Sequence, residues 1–143
     1  MAEGLLRAAL PQEWEGELTV SSAGTHAWDG QPASSLSVKV MSEKGFDISK
    51  HKARLVNPDM INKASLVVAM AGNHLAKMNA DVPGAGEWMI LMGGLDPARK
   101  DPDVVDPIGG SLDDYRAVRD DIARLTVLLL SYIAERYELP LNH

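Results

Sequence analysis

The sequence predicts an α/β domain, a three-layer arrangement in which helices cover both faces of a parallel sheet. Residues 65–70 (SLVVAM) and 87–92 (EWMILM) form two short, mainly apolar segments, as expected of parallel strands that are buried on both sides. Segments with helical spacing of apolar residues precede, separate and follow them. This alternation is typical of an α/β fold. Since no linker or repeat divides the 143 residues, we expect one domain over residues 1–143.

The remaining elements follow from local signals along the chain. Residues 1–10 have apolar residues on one side at helical spacing, and residues 17–20 (ELTV) form a short strand. Pro32 opens a second helix, which ends at Gly45, a residue suited to the position after a helix. Residues 72–80 form a helix between the two apolar strands.

The last helix has the clearest signals. Ser111 is a good N-cap, and Asp113 and Asp114 lie where the helix dipole favours negative charge. Apolar residues then recur every three or four positions: Leu112, Tyr115, Val118, Ile122, Leu125, Leu129 and Tyr132. Ligands of parallel sheets bind at the carboxyl ends of strands, so we expect the site in the loops after Val20, Met70 and Met92.

Composition excludes several classes of function. The net charge of −6 argues against nucleic acid or an anionic membrane as the main partner. The chain has no cysteine, and its four histidines are too scattered for a zinc site, so we predict no metal and no cofactor. It also lacks a membrane-length apolar run and the long apolar stretch of a signal peptide. A cytoplasmic protein is therefore expected.

Two loops contain candidate chemistry. Asp106-Pro107, followed by Gly109-Gly110-Ser111, could present a carboxylic acid that protonates a leaving group. Because Asp-Pro is common in turns, the residues alone favour a plain turn there. Trp28 follows a strand end in a loop of small residues, where it either flanks a substrate or packs on the surface.

Two further groups have weaker support. His51-Lys52-Ala53-Arg54 is the densest basic cluster; it binds an anion or, as composition favours, forms a solvated face. Ser22 and His26 are close in sequence, but the G-x-S-x-G elbow of a hydrolase is absent, so His26 is better explained as structural. The residues alone indicate an enzyme-like α/β domain and no more.

Five segments in order match one family pattern over essentially the whole chain. They are residues 1–3 (MAE), 22–25 (SAGT), 45–54 (GFDISKHKAR), 65–70 (SLVVAM) and 106–116 (DPIGGSLDDYR). As an ordered set, they resemble the low-molecular-weight protein-tyrosine-phosphatase family, including its bacterial phosphoarginine-phosphatase branch. The resemblance implies a phosphorylated protein or peptide as substrate and a phosphocysteine intermediate, hydrolysed without a cofactor.

The resemblance also assigns roles to residues. Asp106 matches the family's general acid and base, and His51 matches a histidine that supports the phosphate loop. Trp28 falls in the loop that lines the substrate cleft. Ile108 stands where many members have an aromatic wall against phosphotyrosine, and Gly109-Gly110-Ser111 resembles the phosphoarginine branch. The preference between the two substrates stays open, with phosphotyrosine favoured because it is the commoner one.

The family pattern places its first strand and the C-x5-R phosphate loop before Met-Ala-Glu, which in this chain is the start. The resemblance therefore implies a domain without its nucleophile, its phosphate-binding arginine and its first, interior strand, and hence inactive as given. The alternative is a pseudophosphatase that binds a partner protein. An arsenate reductase of this family would need additional cysteines. Because an interior strand would be missing, we also expect two open strand edges and a homo-oligomer.

Overall fold

The computed structural model describes residues 1–141 and shows helices packed around a small parallel sheet. The elements are α1 (Ala2–Ala9), α2 (Ser35–Ser42), α3 (Pro58–Lys63), β1 (Val67–Ala69), α4 (Gly72–Asp81), β2 (Met89–Leu91) and α5 (Leu112–Tyr137). Three short 3-10 helices lie at Gln12–Trp14, Ala85–Trp88 and Gly93–Leu95. The predicted α/β class with a parallel sheet is confirmed. Within residues 1–141, no helix is long and apolar enough to cross a membrane.

The two strands pair in parallel, with α4 as the crossover between them. Val68 lies opposite Ile90, and the Ala69 carbonyl accepts a hydrogen bond from the Met92 amide at 2.9 Å. Because successive residues of a strand direct their backbone groups to opposite sides, the amide and carbonyl of Val68 point away from β2. Within residues 1–141, no backbone hydrogen bond is described for this edge at Val68.

The strand predicted at residues 17–20 is not formed. A strand needs a neighbour for its amides and carbonyls, and the Val20 carbonyl instead accepts from the Arg7 guanidinium. Parallel pairing appears further along, where Gly24 forms an isolated bridge with Leu55.

The start of α2 also differs from the prediction at Pro32. The helix begins at Ser35, and the Ser34 hydroxyl accepts from the Ser37 amide at 3.2 Å as its N-cap. Pro32 instead lies in an antiparallel bridge with Lys52. The predicted C-terminal role of Gly45 is confirmed, since its φ of 83° is the left-handed conformation that ends a helix.

Helix α5 confirms the capping prediction. The Ser111 hydroxyl accepts from the Asp114 amide at 3.2 Å, and the Asp114 carboxylate accepts from the Ser111 amide at 2.9 Å. This reciprocal pair is a capping box. Helix α3 was not predicted, although Asn57 caps the Met60 amide at 2.9 Å and Pro58 occupies its first turn.

The apolar core lies mainly between α1 and α5. Leu5, Trp14 and Leu125 are almost fully buried there, and a second, smaller cluster around Ile61 and Met78 covers the strands. The Trp14 indole donates to the Pro140 carbonyl, which joins the 3-10 helix after α1 to the segment that follows α5.

An ionic junction fastens α2 to α5. Glu43, just after α2, accepts from Arg116 at 2.6 Å and from the buried Arg119 at 2.8 Å. Hydrogen bonding to Arg116 is the main cause that lowers the pKa of Glu43 to about 2. Arg119 also donates to the Val40 carbonyl at 2.8 Å, so this buried cation is satisfied.

Candidate functional site

The Asp106 loop follows β2 in the chain and is bonded to the carboxyl end of β1. The Val104 amide donates to the Met70 carbonyl at 2.7 Å, and the Val104 side chain is buried. Asp106 follows two residues later and is exposed, with Oδ1 accepting from the Ile108 amide at 3.1 Å. An exposed carboxyl group thus lies near the edge of the sheet where ligands of parallel sheets bind.

The downstream half of this loop leads directly into α5. The Gly110 amide donates to the Pro107 carbonyl at 2.8 Å, and Gly109 has a φ of 79°. A Cβ on Gly110 would lie 2.8 Å from both the Pro107 carbonyl oxygen and Asp114 Oδ2. The glycine pair that sequence analysis noted therefore has two separate causes, a left-handed backbone and a close approach.

The basic segment lies against the small-residue segment after Val20. The Arg54 guanidinium donates to the Ser22 carbonyl through Nε and Nη2, both at 3.3 Å. A depression of about 230 Å³ lies between them. Its lining comprises Ser22, Ala23, Gly24, Ala27, His51, Ala53 and Arg54. This depression places the guanidinium of Arg54 beside backbone and small side chains, and a guanidinium is a strong hydrogen-bond donor to anions.

Glu3 joins this region to α1, and sequence analysis did not single it out. Its carboxylate accepts from the Ser22 hydroxyl at 2.9 Å and lies 3.3 Å from Arg7. His51 Nδ1 lies 4.0 Å from the same carboxylate. These contacts join residues far apart in sequence, and only the MAE match pointed to this position.

Trp28 stands on a loop fixed by backbone hydrogen bonds. The Gly30 amide donates to the Ala53 carbonyl at 2.8 Å, and the Ala53 amide donates to the Gln31 carbonyl at 2.7 Å. Asp29 adds a side-chain contact, accepting from the Leu55 amide at 2.7 Å. Although the loop is held, the indole of Trp28 is 79% exposed.

The structure thus divides the candidate residues between two loops. His51 and Arg54 line the depression, and Trp28 extends from the loop that packs on the same basic segment. Asp106 and Ile108 lie on the loop after β2, with Ile108 79% exposed. Ser22 and His26 do not pair in the described contacts, because Ser22 donates to Glu3 and His26 lies 3.0 Å from the Thr25 hydroxyl.

Among residues 1–141, no group of three or more histidine, aspartate or glutamate side chains could hold a metal ion. The arrangement offers a guanidinium at the depression, from Arg54, and an exposed carboxyl group on a separate loop, from Asp106.

The fold is a small parallel α/β domain with the Asp106 loop at the carboxyl end of β1. The family described as low molecular weight phosphotyrosine protein phosphatase matches residues 1–138. The chain therefore belongs to the low-molecular-weight protein-tyrosine-phosphatase family, as the resemblance predicted.

Individual relatives agree with this assignment. A probable low molecular weight protein-tyrosine-phosphatase, EpsP of Ralstonia solanacearum, is 35% identical over 106 residues, 70% of each chain. A protein-arginine-phosphatase of Geobacillus stearothermophilus is 31% identical over 106 residues, covering 74% of this chain and 70% of its own. The solved structure of the YwlE arginine phosphatase from that organism superposes with a TM-score of 0.83 at 29% identity, covering 99% of this chain and 89% of that one.

Proposed function

We propose that this domain recognises phosphorylated protein segments in the cleft between the Trp28 and Asp106 loops, and that the 143-residue chain alone does not hydrolyse them. The observation that carries the second part is the complete absence of cysteine in a chain of this family. The proposed family reaction proceeds through a cysteine thiolate, and no other residue here is an equivalent nucleophile. Asp106 is the proposed proton donor, because it is exposed at the carboxyl end of β1.

Turnover of an aryl phosphate tests the inactivity. The purified chain is expected to hydrolyse it no faster than buffer, and Asp106→Ala is expected to behave identically. Activity that follows the protein through purification and disappears in Asp106→Ala would contradict the proposal.

The substrate class is proposed as phosphotyrosine, with phosphoarginine as the competitor. The family description supports the first, and the arginine phosphatase among the relatives supports the second. Ile108 offers an apolar surface but not the stacking or edge contacts of an aromatic ring. Titration of the chain with a phosphotyrosine peptide, a phosphoarginine peptide and the unphosphorylated peptide separates the possibilities. Stronger binding of phosphoarginine would reverse the assignment.

We assign roles in the proposed cleft to two further residues, Trp28 and His51. Trp28 contacts the substrate beside the phosphoryl group, and His51 is a supporting residue in the depression with Arg54. His51→Ala and Trp28→Ala should both weaken binding of the phosphopeptide. Unchanged affinity in both variants would remove these residues from the proposed site.

A pseudophosphatase, a binding module without catalysis, is the second candidate function. The absence of cysteine favours it, as does the exposed Trp28 on a fixed loop. The two candidates differ in the DNA upstream of the Met1 codon. An in-frame strand and C-x5-R-Ser-Pro sequence would indicate the catalytic enzyme, and a stop codon without them would indicate the binding module.

We also propose that the chain associates with itself through the open edge of β1. The Val68 amide and carbonyl face away from β2, and paired edge strands are a common route to oligomers. Sedimentation is expected to show a dimer or larger assembly. A monomer at all concentrations would contradict this proposal. A cytoplasmic location and the absence of a nucleic-acid partner remain predictions, to be tested by cell fractionation and a DNA-binding titration.

A further inference from the structure

The segment before Asp106 is held by one arginine side chain. Arg99 donates from Nε to the Asp101 carbonyl at 2.9 Å and from Nη2 to the Asp103 carbonyl at 3.0 Å. Its Nη1 donates to both carboxylate oxygens of Asp121 in α5, at 2.7 and 2.8 Å. Arg99 thus connects two turns of the loop backbone to the long helix through three nitrogen atoms.

The peptide group between Asp103 and Val104 transmits this hold to the sheet. Its carbonyl accepts from Arg99, and its amide donates to the Met70 carbonyl at the end of β1 at 2.7 Å. Hydrogen bonds on the two sides of one peptide polarise it and strengthen each other. The Asp103 side chain adds a third contact by accepting from the Gly72 amide at 2.8 Å, at the start of α4.

Close packing between Gly93 and Pro102 also holds this segment. A Cβ on Gly93 would lie 2.1 Å from the Pro102 carbonyl oxygen and 3.1 Å from Arg99 Nε. Such a contact is impossible without movement, so only glycine at position 93 allows the loop to lie this near the 3-10 helix that follows β2. By contrast, Asp106 is exposed and is held by its own turn. Its position relative to the sheet therefore depends on the segment that Arg99 fixes.

We propose that Arg99 is a positioning residue, whose guanidinium holds the Asp106 loop against the carboxyl end of β1 by joining the Asp101 and Asp103 carbonyls to Asp121. The inference rests on the proposed function, because it concerns the placement of the proposed proton donor. It predicts that the planar, forked geometry is required as well as the charge. A lysine has a single ammonium and cannot reach all three acceptors at once.

The test compares three variants of the chain by NMR. Arg99→Met removes the fork and Arg99→Lys keeps only its charge. Arg124→Met is the matched control, because Arg124 also binds Asp121, at 3.2 Å, yet its other partner is Asp96 and not Asp101 or Asp103. The first readout is the exchange rate of the Val104 amide, and the second is the change in the Ile108 amide shift as Asp106 is titrated. The Ile108 amide donates to Asp106 Oδ1 and so reports on this turn directly.

Arg99→Met and Arg99→Lys are expected to raise Val104 exchange about tenfold and to reduce the Ile108 titration amplitude. Amides in the centre of α5 should change less than Val104, and Arg124→Met should leave both loop signals as in the unmodified chain. If Arg99→Met does not fold, Asp121→Asn keeps the side-chain volume and should act in the same direction.

Three results would overturn the proposal. The first is an unchanged Val104 exchange rate and Ile108 titration amplitude in Arg99→Met, or in Asp121→Asn where that variant replaces it. The others are changes in Arg124→Met as large as in Arg99→Met, and signals in Arg99→Lys that equal those of the unmodified chain. No substrate is present in these measurements. Their outcome is therefore separate from the question of whether Asp106 donates a proton, which a kinetic experiment addresses.

Discussion

The Trp28 loop and the Asp106 loop, which we propose as the two sides of the cleft, are held by different kinds of contact. Residues 24–31 are fixed mainly by backbone hydrogen bonds to residues 53–56, with Asp29 as a side-chain addition. Residues 99–111 are fixed largely by side chains, notably Arg99, Asp103 and the Ser111–Asp114 capping box, with the Val104 amide bond to the Met70 carbonyl as a backbone addition. Backbone pairing tolerates many side chains, whereas a loop held by side chains depends on particular residues. Single substitutions should therefore have larger effects on the second loop.

The largest effect is expected for Asp106 itself. In a chimera that places the first strand and C-x5-R-Ser-Pro loop of an active family member before Met1, Asp106→Asn should reduce kcat by about 10²–10⁴-fold, as for a lost general acid. The loss should be smallest with good leaving groups, which need little protonation. Asp113→Asn is the control, because this carboxylate is exposed in the first turn of α5. A full rate on phosphotyrosine peptide in Asp106→Asn would assign the proton to another residue.

Gly93→Ala is expected to have the next largest effect. Its Cβ would meet the Pro102 carbonyl oxygen at 2.1 Å, so the Asp106 loop must shift, at a cost of about 1–3 kcal/mol in unfolding free energy. Gly94→Ala is the neighbouring control, since its Cβ would lie 3.6 Å from the Leu91 Cβ in ordinary contact. Urea denaturation of both variants measures the difference. Equal stability of the two variants would show that the close approach is not rigid.

Loss of the N-cap should have a smaller effect. Ser111→Ala removes the acceptor of the Asp114 amide and should lower the unfolding free energy by about 1 kcal/mol. Ser131→Ala, an exposed position within α5, is the matched control. Thermal denaturation compares the stabilities of the two variants. If Ser111→Ala is as stable as Ser131→Ala, the cap does not contribute to holding this loop.

Trp28→Ala should have the smallest effect on stability and a measurable one on binding. Because the indole is 79% exposed and its loop is held by backbone, the unfolding free energy should change by less than about 0.5 kcal/mol. Affinity for a phosphopeptide should nevertheless fall. Val127→Ala is a control with another exposed apolar side chain, on α5. A large loss of stability in Trp28→Ala would mean that the indole helps to hold its loop.

Features that depend on residues close together in the chain could be predicted from the sequence. Ser111, Gly109 and Gly110 have local signals, and the structure confirms their places around the Asp106 loop and the start of α5. The long helix and the two apolar strands were also predictable from periodicity, although the strands are shorter than their apolar runs. Each of these features is set by residues a few positions apart, so one sequence is enough to predict it.

Features that depend on distant partners were missed or misjudged. Residues 17–20 have the composition of a strand but no neighbouring strand to pair with, so composition alone gave the wrong assignment. Arg99 and Glu3 act through partners 22 and 19 positions away, Asp121 and Ser22, and no local pattern indicates such contacts. The chemical roles of Asp106, Trp28, Ile108 and His51 came from the family resemblance and remain predictions.

Two of the three tryptophans, Trp14 and Trp28, differ so strongly in their surroundings that they act as separate optical reporters. The third, Trp88, is partly buried, and its indole donates to the Ile61 carbonyl at 3.0 Å. Trp14 is 1% exposed and bonded to the Pro140 carbonyl, so its emission should be blue-shifted and protected from iodide. Trp28 is 79% exposed and should emit near the wavelength of free indole and be quenched readily. Iodide quenching therefore distinguishes the emission of Trp28, at the proposed cleft, from that of Trp14, in the core, within one sample. A ligand that covers Trp28 should reduce the fraction of the emission that iodide quenches. Separation of Trp14 from Pro140 should instead shift the emission spectrum to the red.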